Sequence, residues 1–183
     1  GSAMTVSLSN GSTITIAKNA TEGSVTVDAP RNTVYVDSGN VSATITGTTG
    51  GDFEKLNVSS TPAVTAVTDT IDTSTVTLTA TPSVVEGGTV VYTATVSSPV
   101  TVAPLVISLA NGQQITIAVN ATTGSVNYVA PNNVYATNAP LTNSITGMTG
   151  GNFEKLVATG TPSTAVTDNP NNLDTTNVTL TAT

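Results

Sequence analysis

The chain repeats itself at an interval of about one hundred residues, and this internal repeat limits its fold more than any other feature. The recurring segments are residues 6–11 with 107–112, 50–56 with 150–156, and 75–81 with 177–183. Repetition at a fixed interval indicates tandem units, each of which forms one supersecondary or domain-sized structure. An interval of this length corresponds to one small domain. The sequence therefore predicts a slice of a longer tandem array.

Residue usage places these units in the all-β class. Threonine makes up about a fifth of the chain, valine and isoleucine are common, and only 8% of the residues are charged. β-Branched side chains favour pleated, half-buried strands over helices. Because the chain has two phenylalanines, four tyrosines and no tryptophan, the core is expected to consist mainly of valine, isoleucine, leucine and alanine.

Charge and missing residue types exclude several classes of function. The 11 acidic and 4 basic side chains give a net charge of −7, which argues against nucleic acid and anionic membranes as partners. We expect neither a membrane span nor a signal peptide, because long apolar runs are absent from the sequence. The chain contains no cysteine and no histidine, so it lacks disulfides and the usual catalytic bases and thiol nucleophiles. We therefore expect a protein that is not an enzyme.

Alternation of apolar and polar residues predicts strands along the whole chain. Val76, Leu78 and Ala80, for example, share one face, while threonines take the other. Asn-Gly pairs at residues 10–11 and 111–112 lie between alternating runs. Asn-Gly tolerates positive φ at both central positions, so each pair predicts a hairpin with a type I′ turn.

About seven strands fit between residues 75 and 168, which is the spacing of an immunoglobulin-like antiparallel β-sandwich. The predicted divisions are an expression-vector remnant at residues 1–4, outside the fold; a partial repeat of later strands at 5–71; a complete repeat at 72–173; and the first strand of a following repeat at 174–183. A sandwich that lacks its first strands leaves edges uncovered. The orphan strand at 178–182 could complete the partial repeat of a neighbouring molecule, or the partial repeat could survive with a frayed edge.

The amino-acid sequence of the repeat resembles that of a known protein family. The segments that carry the likeness are TDTIDTSTVTLTAT at residues 68–81, VVEGGTVVY at 84–92, APNNVY at 130–135 and TGGNFE at 149–154. They resemble the central tandem repeats of LapA-type large adhesive proteins, which are giant bacterial biofilm adhesins. The resemblance implies a secreted protein retained at the bacterial outer surface, in which the repeats extend the adhesive ends away from the cell. Its expected partners are neighbouring repeats of the same chain and, through the parent protein, abiotic or biotic surfaces.

Acidic residues bracket the two predicted junctions between repeats. Asp69 and Asp72 flank the first junction, and Asp168 and Asp174 flank the second. In a seven-stranded antiparallel domain the loop after the first strand lies at the exit, which would place Glu86 near Asp168. Calcium takes about six to eight oxygen ligands, so it favours such a convergence of carboxylates. We predict a calcium site in each junction, although an aspartate in a linker could also simply cap a turn.

Two other functions stay open from the sequence. A module that binds polysaccharide or another ligand would use tyrosine platforms. Alternation places Tyr92 and Tyr128 in the core, whereas Tyr35 and Tyr135 occupy matching loop positions and would either bond to backbone or contact a ligand. Self-association between arrays is also possible, because the threonine-rich faces carry little charge.

Overall fold

The computed structural model describes residues 1–37 and 39–182, and it confirms the all-β prediction. The chain divides into two compact units. Unit 1 contains residues 1–33 and 37–70, and unit 2 contains Val34–Val36 and the chain from Ile71 onward. Within the described residues, no helix is long and apolar enough to cross a membrane.

Unit 1 forms two small antiparallel sheets. Its strands are β1 (Met4–Leu8), β2 (Thr13–Ile16), β3 (Val41–Ala43), β4 (Ile45–Gly50) and β5 (Ala63–Thr65). One sheet has the order β2-β1-β4, and the other pairs β3 with β5. The expectation that residues 1–4 stand outside the fold is wrong for Met4, because it pairs with Ile16 and Gly50. Their origin as a vector remnant stays a prediction.

Unit 2 contains ten strands within residues 71–182. They are β6 (Thr73–Ala80), β7 (Ser83–Val85), β8 (Thr89–Val96), β9 (Leu105–Leu109), β10 (Gln114–Ile117), β11 (Thr123–Val129), β12 (Leu141–Thr142), β13 (Ile145–Thr149), β14 (Lys155–Thr159) and β15 (Ser163–Thr167). The sheet orders are β11-β8-β6-β14, β10-β9-β13 and β12-β15-β7. Thr183, the last residue of the predicted 174–183 strand, lies outside the described residues, and residues 174–182 form no strand.

The ten strands of unit 2 correspond to seven chain segments, as the spacing of the sequence predicts. Short breaks divide three of the segments, between β6 and β7, between β12 and β13, and between β14 and β15. The first and last breaks each contain a proline, Pro82 or Pro162, which cannot donate to a ladder. Two pairings are parallel, β14 with β6 and β15 with β7, whereas the sequence predicts an antiparallel sandwich. The alternation of apolar and polar residues determines which face of the sheet a side chain occupies. It does not determine which strand lies alongside, so it could not predict these two parallel pairings.

The core of unit 2 lies between these sheets and has the composition that the sequence predicts. Val76 and Leu78 of β6, predicted to share a face, are both buried. The largest buried side chain is Tyr92 of β8, whose ring centroid lies 6.4 Å from that of Tyr128. The prediction that Tyr92 is a core residue is confirmed, and Tyr128 is partly buried and packs against this core.

The Asn-Gly hairpins form, but the predicted turn type is wrong. Gly112 has φ +83° and Gly11 has φ +84°, whereas neither Asn10 nor Asn111 has positive φ. The Gly112 amide donates to the Leu109 carbonyl at 3.0 Å, which describes a turn followed by one residue in the left-handed region. The asparagine has another role, because its Oδ1 accepts the amide of the residue two positions on.

Tyr35 is fixed within unit 2. It pairs with Phe153 through an isolated β-bridge, and the two ring centroids lie 5.3 Å apart. Its hydroxyl donates to the carbonyl of Pro99 at 2.6 Å. The sequence left two roles open for Tyr35, a hydrogen bond to backbone or a contact with a ligand. The structure shows the hydrogen bond to backbone. Tyr135, at the matching position, is 70% exposed.

Two buried hydroxyls predict opposite effects on stability. Ser74 and Thr164 are both fully buried, and the Thr164 hydroxyl donates to the Thr81 carbonyl at 2.7 Å. In the part of the chain that the structure describes, the Ser74 hydroxyl has no hydrogen-bond partner. Ser74→Ala is expected to raise the free energy of unfolding by about 1 kcal/mol, and Thr164→Val to lower it by about 1 kcal/mol. Urea unfolding of both variants checks this; destabilisation by Ser74→Ala would contradict it.

Candidate metal centre

Glu86 and Asp168 meet at the end of the parallel pair β7–β15. In this pair Val85 lies opposite Thr167, so Glu86 and Asp168 occupy the next position in register. The Glu86 amide donates to the Thr167 carbonyl at 2.8 Å, which extends the pairing beyond β7. Glu86 and Asp168 thus lie together, as predicted from the sequence, although the strands that bring them together are parallel and not antiparallel.

Glu86 is a buried carboxylate that is surrounded by asparagines. It is only 2% exposed. Its Oε2 accepts the Asn133 amide at 3.2 Å, and its Oε1 accepts the Asn169 amide at 3.4 Å. These two backbone donors stabilise the ionised form of Glu86. Asn138 lies beside Asn133, and its side-chain oxygen accepts a hydrogen bond from Nδ2 of Asn133.

The two carboxyl groups perturb each other in opposite directions. The hydrogen bond from Asp168 lowers the pKa of Glu86, and the backbone amides of Asn133 and Asn169 lower it further, while burial opposes them. The same hydrogen bond, burial and the charge of Glu86 raise the pKa of Asp168. In the absence of a cation, Asp168 is therefore the carboxyl of the pair that keeps its proton to the higher pH.

The other three predicted ligands lie at different places relative to this pair. Asp174 is exposed, and its charge contributes to the raised pKa of Asp168. Asp72 lies at the opposite end of the first segment of unit 2, where its amide donates to Glu154 Oε2 at 2.6 Å. Asp69 belongs to unit 1 and is half-buried. Within the described residues, no three acidic side chains lie close enough to form an ion site by themselves.

Sequence reasoning missed three residues near these carboxylates. The backbone amide of Asn133 donates to Glu86, and the available signal for Asn133 is the APNNVY segment, which has a counterpart in the first repeat. Asn138 contacts Asn133 and lies outside that segment. Glu154 lies beside Asp72 because Lys155 is in register with Thr73 in the parallel pair β6–β14. Its signal is the repeated Phe-Glu-Lys-Leu segment, which indicated the repeat and part of the family resemblance but not a contact with Asp72.

The chemistry of the Glu86 site suits a hard cation. Carboxylate oxygens are ligands of the type that calcium prefers, and this site supplies two carboxyl groups. No lysine or arginine within the described residues forms an ion pair with either carboxylate. The arrangement holds no nucleophile activated by a base, so it suits ion binding better than group transfer.

The model of the LapA domain family matches residues 1–70 and again residues 72–169. The chain belongs to the LapA domain family. The two matches cover nearly the whole chain, one in each repeat. A LapA domain indicates an adhesin-related function, a structural role rather than a catalytic one, and a location at the cell surface or outside the cell. Neither a curated protein nor a solved structure matches this chain.

The raised pKa of Asp168 predicts how the stability of this LapA domain depends on pH. Because the pKa of Asp168 is raised on folding, the folded state retains a proton that the unfolded chain loses above about pH 4. The free energy of unfolding in chelator should therefore fall as pH rises through the interval between the ordinary and the raised pKa. The lowered pKa of Glu86 matters at a pH below this interval. There the stabilisation that ionised Glu86 contributes is lost as pH falls.

Urea unfolding in chelator between about pH 4 and about pH 7 measures this dependence. Asp168→Asn removes the retained proton, so it should abolish the fall. Asp52→Asn, an exposed aspartate of unit 1, is the control and should keep it. Equal pH dependence in the parent and in Asp168→Asn would contradict the prediction.

Proposed function

We propose that this LapA domain protein is a structural extender segment of a bacterial biofilm adhesin, which calcium stiffens at the junctions between repeats. The single observation that carries the proposal is the buried Glu86 carboxylate in hydrogen-bond contact with Asp168. Two carboxylates in contact, without a basic partner, form an arrangement that a divalent cation stabilises.

Glu86 and Asp168 would hold the ion from the folded unit, and Asp174 would approach from the chain that follows. Asp69 and Asp72 are the equivalent residues of the preceding junction, and the contact of Asp72 with Glu154 adds a further carboxylate to its surroundings. When calcium is bound, its charge would relieve the repulsion between the two carboxylates.

Calcium acts in this proposal as a mechanical coupling. An ion that takes ligands both from a folded unit and from the linker fixes the linker, and a string of repeats becomes a stiffer rod. Binding only to the folded, aligned form also raises stability by mass action. In the parent adhesin, which we place in secreted form at the bacterial outer surface, stiff repeats would hold adhesive ends away from the cell.

Calcium titration calorimetry of the parent and of an Asp69→Asn, Asp168→Asn variant tests the site. We expect binding by the parent and its loss in the variant. A control variant, Asp52→Asn with Glu54→Gln, removes the same number of charges elsewhere and should bind as the parent does. Binding that persists in the first variant would refute these ligands.

Small-angle scattering tests the stiffening separately. The maximum dimension of the particle should be larger in calcium than in chelator, since a fixed linker extends the chain. The site variant should give the shorter dimension in both buffers. Identical scattering curves of the parent in calcium and in chelator would exclude the mechanical role even if calcium binds.

A further inference from the structure

Val34–Val36 belongs to the first repeat by sequence and to unit 2 by structure. Its sequence VYV corresponds to VYA at residues 134–136, one interval further along the chain. The chain on either side of it, up to Thr33 and from Asp37, belongs to unit 1. We call Val34–Val36 the docked segment. Its place in unit 2 is not explained by the order of the sequence, so it must follow from the contacts that the segment makes there.

The docked segment bonds through its main chain to a turn of unit 2. The Val36 amide donates to the Asn152 carbonyl at 3.0 Å, and the Glu154 amide donates to the Val34 carbonyl at 3.1 Å. The side-chain amide of Asn152 also donates to the Val36 carbonyl, at 3.5 Å. This pattern is that of an extended segment added to an exposed edge, a mode of peptide recognition in which main-chain hydrogen bonds supply affinity.

Tyr35 adds contacts that depend on the side chain. It lies opposite Phe153 in an antiparallel bridge whose hydrogen bonds are made by the neighbouring residues. In such a pair the two side chains lie at their closest approach. The ring centroids are 5.3 Å apart, a distance at which aromatic rings attract each other. The Tyr35 hydroxyl donates to the Pro99 carbonyl at 2.6 Å. A tyrosine at this position therefore makes both an apolar and a polar contact.

The groups that receive this tyrosine are fixed by the rest of unit 2. Val100, which follows Pro99, is fully buried, and its amide donates to the Ala121 carbonyl at 2.9 Å. The Phe153 ring packs against the core and lies over Gly151, where a Cβ would come within 2.9 Å of the ring. A receiving surface that is already ordered lowers the entropic cost of binding.

Both partners of this contact recur at the interval of the repeat. The Val-Tyr pair occurs at residues 34–35 and 134–135, and the turn reads GGDFE at 50–54 and GGNFE at 150–154. The two turns have the same backbone conformation, with φ of +80°, +84° and +54° at residues 50–52 and of +86°, +82° and +57° at 150–152. A contact between successive repeats requires that each repeat carry both partners, and both repeats carry them.

We propose that the turn at residues 150–154 and the Pro99 carbonyl form a docking site for the Val-Tyr segment of another LapA repeat, with Tyr35 as the residue that it recognises. Main-chain hydrogen bonds hold the extended segment, and the tyrosine provides specificity. The contact couples successive repeats of the adhesin. Its donors and acceptors are all protein groups, so it needs no calcium and does not rest on the proposed metal site.

Amide hydrogen exchange of the whole chain, measured by NMR in chelator, tests the docking site. The Val36 amide is protected while it donates to the Asn152 carbonyl, so its protection factor measures docking. Tyr35→Phe keeps the ring and removes the hydroxyl, and protection of Val36 should fall about fivefold. Tyr35→Ala also removes the ring contact, and protection should fall about thirtyfold.

Tyr135→Ala is the matched control, because it removes the corresponding tyrosine of the second repeat and should leave the protection of Val36 unchanged. Amides of β6 and β8 should keep their protection in all variants, since undocking is a local opening. Phe153→Leu tests the direct contact. In that background Tyr35→Ala should have a smaller effect than in the parent, because the two rings interact.

Five results would overturn the proposal. They are a Val36 amide that exchanges as fast as an unstructured peptide, protection that Tyr35→Ala leaves unchanged, an effect of Tyr35→Ala that extends to β6 and β8, an equal fall in Tyr135→Ala, and additive effects of Tyr35→Ala and Phe153→Leu. If Tyr35→Ala fails to fold, Tyr35→Phe takes its place in each comparison, because it removes a single hydroxyl. Since calcium is absent throughout, failure of the docking site is distinguishable from failure of the metal site.

Discussion

Replacing Gly160 by alanine is expected to lower the free energy of unfolding of unit 2 by about 3 kcal/mol. Gly160 has φ +88°, and a Cβ at this position would lie 2.4 Å from the carbonyl oxygen of Leu78. The Cβ is bonded directly to the backbone and the oxygen is part of it, so neither can move aside as the end of a flexible side chain could. The substitution therefore combines left-handed strain with a main-chain clash.

Gly112→Ala separates these two contributions. Gly112 has φ +83°, but a Cβ there meets no atom within 4 Å. Its substitution should cost only the left-handed strain of about 1 kcal/mol. The difference between the two variants then measures the clash alone.

Tyrosine fluorescence during urea unfolding measures this difference in unit 2 specifically. All four tyrosines belong to unit 2, because Val34–Val36 is part of it. The midpoint for Gly160→Ala should fall well below that for Gly112→Ala. Equal midpoints would show that the chain between β14 and β15 moves away from Leu78 without cost.

Alternation in the sequence was sufficient to predict the faces of the strands. It assigned Val76 and Leu78 of β6 to the core, and both are buried. It could not predict that residues 22–28 and 55–59 form no strand, since these segments have ordinary strand patterns. Pairing depends on a distant backbone, and the counterparts of β6 and β8 are missing from unit 1.

The candidate site was predictable in part for the same physical reason. The topology brings Glu86 next to Asp168, because the first and last segments of unit 2 run parallel and finish at the same end of the sandwich. The asparagines around Glu86 come from a loop without periodicity, so only their chemistry could have indicated them. The turn type at residues 111–112 was missed because Asn-Gly also fits a loop in which glycine alone has positive φ.

Asp168→Asn is expected to change the sign of its effect on stability between chelator and calcium. In chelator at neutral pH, the substitution removes one of two carboxylates that repel each other, so unit 2 should become more stable than the parent. In calcium, the parent gains about 2.7 kcal/mol when the free ion is at about one hundred times its dissociation constant. The variant lacks a ligand, so it should gain little and become the less stable of the two.

Tyrosine-monitored urea unfolding of both proteins in the two buffers gives the four free energies that this comparison needs. Asp37→Asn is the matched control, because Asp37 belongs to unit 1 and accepts a hydrogen bond from Thr33 there. It should leave the calcium response of unit 2 intact. A variant that is less stable than the parent in both buffers would make Asp168 a capping residue. If the variant is more stable than the parent in both buffers, the substitution only relieves the repulsion between Glu86 and Asp168, and the pair does not bind calcium.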